Sequence, residues 1–198
     1  MGKTQRKPAS TPESLTPFLA PLQAVQDLLS AFGGRGVIIG GIAASLLSKP
    51  RFTADVDAVF LLELDEIPRL LQQASENGIQ PRIANAEIFA RKNRVVLLRH
   101  IASGIDIDIS LGILPFENEM VEHSQSLKLG GLLLRLPIPE DLIILKAVAH
   151  RPQDLLDIES VIASHPALDI EYIRNWVQQF SEALEMPELL DDISSRLQ

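Results

Sequence analysis

The chain reads as an α/β (α+β) protein: a mixed sheet with flanking helices, followed by a C-terminal helical part. Three observations predict this. Short apolar runs bounded by glycine and proline alternate with amphipathic stretches over residues 18–136. From Pro139 onward the apolar spacing is helical only, interrupted at Pro152, Pro166 and Pro187. Two of the short runs alternate aspartate with apolar residues, the pattern of a strand with one polar face.

The helix over 18–32 repeats Leu22, Val25, Leu28 and Leu29 at helical spacing, tolerates Pro21 in its first turn and ends at Gly33-Gly34. Val37-Ile38-Ile39 is a short buried strand, and residues 42–47 form a brief helix stopped by Pro50. A second strand covers 56–62, and a helix over 65–77 turns Ile67, Leu70, Leu71 and Ala74 inward before Gly78. Strands over 95–100 and 105–110 form a hairpin through Ala102-Ser103-Gly104. A helix over 115–124 carries Glu117 and Glu119 in its first turn, where the dipole favours them. Gly130-Gly131 joins a last hairpin, 127–129 with 132–136. Helices over 139–150, 153–164 and 170–185 follow, with a short one after Pro187.

With 198 residues, 46% of them hydrophobic, the chain has material for a sizeable core. The expected organisation is a leader over 1–17, a mixed core over 18–136 and a helical subdomain over 139–198. The leader is rich in Pro, Ser and Thr, carries Lys3, Arg6 and Lys7, and lacks the apolar stretch of a signal peptide, so disorder is expected. No apolar run reaches the roughly 18 residues of a membrane span, so no membrane partner is expected. The absence of cysteine excludes disulfides and thiolate metal sites, and suits a cytoplasmic setting. A net charge of −8 argues against a general nucleic-acid binder. The densest cations, Arg82, Arg91, Lys92, Arg94 and Arg99, read most simply as a solvated strand edge or loop.

Chemistry concentrates in three places. Asp55 and Asp57 lie two apart in a strand, so both project from one face. Carboxylates so placed repel each other unless a cation sits between them, and Mg²⁺ favours a few carboxylates plus substrate phosphates. Gly40-Gly41, before a helix start, lets backbone approach a phosphate closely. Asp106 and Asp108 repeat the alternation on a later strand. Beside the first pair they would supply a third carboxylate around two metal ions, one also able to take the nucleophile's proton.

Together Ile39-Gly40-Gly41, Asp55-Val56-Asp57 and the later Asp106/Asp108 strand resemble the nucleotidyltransferase superfamily that shares the DNA polymerase β palm fold. The stretch from Arg51 to Asp57, the run after Asp108 and the run from Glu140 through Asp157 look most similar to small bacterial enzymes related to type IV abortive-infection (AbiEii-like) toxins. The resemblance covers roughly residues 18–165. It implies that Asp55 and Asp57 bind Mg²⁺ and that Gly40 and Gly41 lie against the nucleotide phosphates. It favours Asp108 as the third metal-binding and catalytic carboxylate, with Asp106 the alternative. Arg51 and Lys146 would steady the triphosphate, and Thr53 would orient the loop near Asp55. His150 lies on the face of Lys146, Asp157 is a partner for that lysine, and Asp154 reads as a helix cap.

The activity so implied is Mg²⁺-dependent transfer of NMP from an NTP to a hydroxyl on RNA (tRNA included), protein or a small molecule. A toxin of a toxin–antitoxin or phage-defence system would also have an antitoxin partner. Tyr172, Trp176, Phe180 and Leu184 fit core packing or a face for such a partner. The alternative is an inactive nucleotide- or partner-binding domain with the same fold. A phosphohydrolase or nuclease is disfavoured, because His100, His123, His150 and His165 are scattered. The identity of the NTP is open.

Overall fold

The computed structural model describes residues 13–197. A five-stranded sheet has the order β1-β2-β5-β4-β3, formed by Gly36–Ile39, Asp55–Phe60, Asp106–Leu111, Val95–His100 and Ile79–Pro81 respectively. Only β2 and β5 run parallel; the other neighbours are antiparallel. A separate hairpin joins β6 (Gln125–Leu129) to β7 (Leu132–Leu136). Its linking glycines have φ of +53° and +89°, the positive values a tight two-residue turn requires.

Alternation decides the sheet's faces. Val56, Ala58 and Phe60 on β2, with Ile107 and Ile109 on β5, are buried, while the aspartates between them face the other way, partly exposed. Helix α1 (Leu19–Ala31) packs on α3 (Ile67–Glu76) and β7, and α2 (Gly40–Leu47) packs on β1 and β2. Helices α6 (Pro139–Ala149) and α7 (Pro152–Ser164) rest on α2, and α8 (Ile170–Leu184) and α9 (Glu188–Arg196) continue the stack. The composition changes from strands to helices at Pro139, yet one hydrophobic cluster runs from the sheet through Leu142, Ile158, Val177 and Ile193. Trp176 and Phe180 meet Phe116 of α5 (Pro115–His123) edge-on at 5.2 and 5.6 Å, and the Tyr172 hydroxyl donates to Asp141 at 2.8 Å. These aromatics are thus largely engaged in packing.

Two elements were not expected. Strand β3 is a three-residue edge strand ending in proline, and α4 (Ala86–Asn93) lies between Asn85 and Arg94, both left-handed. The expected leader also differs over its last residues: Glu13–Phe18 form a 3-10 turn with Leu15 fully buried. An apolar residue with a socket in the core outweighs the polar composition around it. Residues 1–12 lie outside the described residues.

Candidate active site

Register brings four aspartates together. Asp55 pairs with Asp106 and Asp57 with Asp108 across the parallel β2–β5 contact, so both pairs share one face. Neighbouring strands lie about 4.8 Å apart, well inside Coulombic range at a partly buried site.

The two strands treat their carboxylates differently. On β5, Arg99 Nε donates to Asp106 Oδ1 at 2.6 Å, which holds that carboxyl below its ordinary pKa. Arg82, just past β3, places Nη1 2.6 Å from Asp108 Oδ1 and donates from Nη2 to Oδ2 at 3.1 Å. Its Nη1 also lies 3.5 Å from Asp106. On β2, among the described residues, no cation pairs with either aspartate. Asp55 Oδ1 accepts from Thr53 Oγ1 at 3.3 Å. Burial, reinforced by the charges of Asp55 and Asp108, pushes Asp57 up from 3.8 to about 6.

The glycine pair fits around these groups. Gly40, at φ +65°, closes so tightly on Asp57 that a Cβ there would overlap its carboxylate. A Cβ on Gly41 would lie 2.5 Å from Thr53 Oγ1 and 3.1 Å from Arg51 Nη2. Ser45 serves packing: its hydroxyl donates to the Arg51 carbonyl at 3.3 Å.

Facing the aspartates is a chain of five charges. Arg51 donates to Asp157 through Nε at 2.6 Å and Nη2 at 2.7 Å. Lys146, only 4% exposed, sits 2.6 Å from Asp157 and 3.0 Å from Asp154. Arg151 Nε donates to Asp154 at 2.6 Å. Burial raises both carboxyl pKa values, but bonds from Arg151 and Lys146 to Asp154, and from Arg51 and Lys146 to Asp157, pull both below normal. Arg51 and Lys146 are therefore committed within the protein, while the Arg151 side chain is 73% exposed. His150 does not join Lys146; its ring pairs with Asp192 at 2.8 Å.

A cleft of about 320 Å³ opens between Gly41, Arg51, Phe52, Asp55, Asp57, Lys146 and Arg151. A second, of about 210 Å³, lies between Gly40, Asp57, Leu142, Leu145 and Arg151. Asp57 and Arg151 line both. A larger hollow of about 390 Å³ beside Leu47, Leu136 and Pro166 contains none of the four aspartates. The expected residues Gly40, Gly41, Arg51, Asp55, Asp57 and Lys146 thus converge. Asp108 shares their sheet face, but the expected three-carboxylate metal cradle is not assembled. Among the described residues no group of three or more His, Cys, Asp or Glu is arranged to hold a metal ion. Asp108 is turned onto Arg82 instead. Arg82 and Arg151 are additions to the expected site; in the sequence Arg82 stood only among the densest cations, and Arg151 only within the run from Glu140 through Asp157 that carries the family resemblance.

This mixed sheet, with a glycine turn closed on strand aspartates, defines the nucleotidyltransferase fold. The chain belongs to the family described as nucleotidyltransferase of unknown function (DUF6036), whose model matches residues 19–191, and it is a nucleotidyltransferase enzyme by that membership. It is similar in fold to an antigenic nucleotidyltransferase-like protein from Paracoccidioides brasiliensis (TM-score 0.54, 16% identity, 93% of this chain and 94% of that one). The antibiotic-resistance factor ANT(2'')-Ia is also similar (TM-score 0.54, 15% identity, 85% and 95% covered). A second structure of ANT(2'')-Ia, in complex with adenylyl-2''-tobramycin, aligns with TM-score 0.53 at 15% identity over 83% and 98%. No curated protein matches the chain significantly. Among the described residues no helix is long and apolar enough to cross a membrane.

Proposed function

We propose that the protein transfers a nucleoside monophosphate from an NTP to a hydroxyl of a small-molecule acceptor, releasing pyrophosphate. The observation that carries this is the uncompensated Asp55–Asp57 pair beside Gly40, in a cleft whose opposite wall is cationic. The pair fits Mg²⁺: burial and the neighbouring charges of Asp55 and Asp108 raise the cost of ionising Asp57, and this cation takes few protein ligands. Bound there, Mg²⁺ would supply charge neutralisation for the triphosphate and the departing pyrophosphate.

The remaining roles belong to side chains. Gly40 and Gly41 admit the phosphates to the first turn of α2, where free N–H groups point outward. Arg151 reaches the triphosphate from the mouth, held by Asp154, which Lys146 fixes from beneath. Arg51 performs the same holding work through Asp157. Asp108 accepts the proton of the acceptor hydroxyl as its oxygen bonds to the α-phosphorus and the bond to pyrophosphate breaks.

The choice of acceptor rests on cations. Arg82 and Arg99 are engaged by aspartates, Arg91 by Glu87, and Arg94 by the carbonyls of Leu111 and Leu62. Little of the basic stretch is left to follow an RNA backbone. ANT(2'')-Ia, similar in fold, is known in complex with adenylyl-2''-tobramycin, which supports a small-molecule acceptor. The AbiEii-like toxin reading, with an antitoxin partner and a cytoplasmic site of action, is carried by the resemblance alone.

The test is labelled NTP, each of the four in turn, with Mg²⁺ and three acceptors: tobramycin, bulk tRNA and a protein mixture. Labelled amino sugar and pyrophosphate release, lost in Asp57→Asn, are expected. Labelled tRNA would replace this reading with the toxin. Absence of NTP binding would replace it with an inactive binding domain.

A further inference from the structure

We infer that Arg82 occupies the place of a second cation, so that the site holds one divalent ion, on Asp55 and Asp57, and Asp108 stays off the metal. The inference rests on the metal-dependent reading above and concerns how that reading is built.

Charge is the first argument. Four carboxylates share one sheet face in two register pairs. Two guanidiniums already compensate the β5 pair: Arg99 on Asp106, and Arg82 spanning Asp108 and Asp106. What is left uncompensated is the β2 pair, whose charge equals that of a single divalent cation. A second one would meet a fixed arginine where it needed a third carboxylate.

Geometry is the second. Arg82 continues the edge pairing, donating its backbone N–H to Leu97 O at 3.1 Å, so its Cα is held beside β4. From there the guanidinium donates from Nη2 to Asp108 Oδ2 at 3.1 Å and sets the charge of Nη1 2.6 Å from Oδ1. Its side chain is 22% exposed. Swinging it out would leave Asp108 without its cation, in register beside the already uncompensated Asp57. Asp108, so gripped, keeps lone pairs for a hydroxyl proton and is oriented for that task. Arg82 is thus a positioning residue.

The test counts bound Mn²⁺ on the full chain by electron paramagnetic resonance, using Mn²⁺ alone. Wild type is expected to bind one ion per chain and Arg82→Ala two. Arg82→Lys, which keeps the charge, is expected to stay at one. If Arg82→Ala fails to fold, Arg82→Gln serves, with the same expectation of two. Two ions in wild type would overturn the inference and leave the metal-dependent reading intact. One ion in every variant would overturn it as well, since Arg82 would not be what excludes the second. No ion in wild type would overturn both.

Discussion

Asp57 on β2 and Asp154 on α7 are both carboxylates in the same cleft, yet their acidities move in opposite directions. Asp57 is raised to about 6, whereas Asp154 is held below its usual value. Burial pushes both upward; only Asp154 has Arg151 and Lys146 bonded to it. The wall made by α6 and α7 is electrostatically complete, and the wall made by β2 is not. The first stabilises the fold, and the second is left for a ligand to complete.

The largest effect should come from breaking the complete wall. Lys146→Met strands Asp154 and Asp157 without their shared buried cation, a change expected to cost about 3–5 kcal/mol. For a chain of this size that lowers the melting temperature by roughly 6–20 °C. Acid should act similarly: both carboxyls have depressed folded-state pKa values, so their stabilisation holds at neutral pH and is lost as pH falls through those values. A melt of Lys146→Met within two degrees of wild type would mean that the network is not structural.

The incomplete wall should respond with the opposite sign. Asp57 binds its proton more tightly folded than unfolded, so its contribution is full below about pH 4 and is lost as pH rises through about 6. Ionised Asp57 therefore burdens the metal-free protein at pH 7–8 by on the order of 2–3 kcal/mol. Asp57→Asn should melt several degrees higher than wild type at pH 8 without metal, and the gain should vanish at pH 4. The same substitution should abolish Mg²⁺-dependent NTP binding in calorimetry. In wild type that binding should weaken as pH drops below about 6, where protons compete for the carboxylate.

Much of the incomplete wall was legible in the sequence, and the complete one far less so. Asp55, Asp57, Asp106 and Asp108 announce themselves because strand alternation places charge among isoleucines and valines, and short spacing alone assigns each pair one face of its strand, whereas the β2–β5 register joins the two pairs. Gly40-Gly41 is equally local. Arg82 could not be read this way, since its partner lies 26 residues later and meets it only through the β3–β4–β5 register. Strand β3 itself has three residues and a proline, too little periodicity to register. Lys146 was singled out, but its burial between two aspartates follows from how α6 and α7 meet. Leu15 shows the reverse case, where a polar, proline-rich surrounding hides one side chain with a place in the core.

A smaller effect tests how closely the two walls are fitted. Gly40→Ala places a methyl against the Asp57 carboxylate at a φ of +65°, a conformation that costs an alanine about 1–2 kcal/mol. The methyl must displace the very group proposed to hold the metal. Turnover should fall about 100-fold, as displacements near 1 Å commonly cause, with a melting temperature only a few degrees lower. Equal activity would show that Asp57 need not stay where Gly40 lets it lie.

The smallest effect belongs to Phe52, between the walls. It lines the cleft beside Arg51 and Asp55, yet it is 85% exposed. Its backbone is not loose: Arg51, itself forked on Asp157, donates from Nη1 to the Phe52 carbonyl at 2.8 Å. The arginine bonded to the complete wall thus holds the backbone that carries an aromatic residue at the mouth of the incomplete one. An exposed ring on that anchored backbone offers a face on which a nucleobase can stack, a contact worth about 1–3 kcal/mol. Phe52→Ala should raise KM for the NTP about tenfold and leave kcat unchanged, because stacking far from the reacting phosphorus binds ground and transition states alike. Its melting temperature should not move, since the side chain buries little. A change confined to the acceptor's KM would move the ring's contact from nucleotide to acceptor. No change in either would leave Phe52 a surface side chain without a ligand.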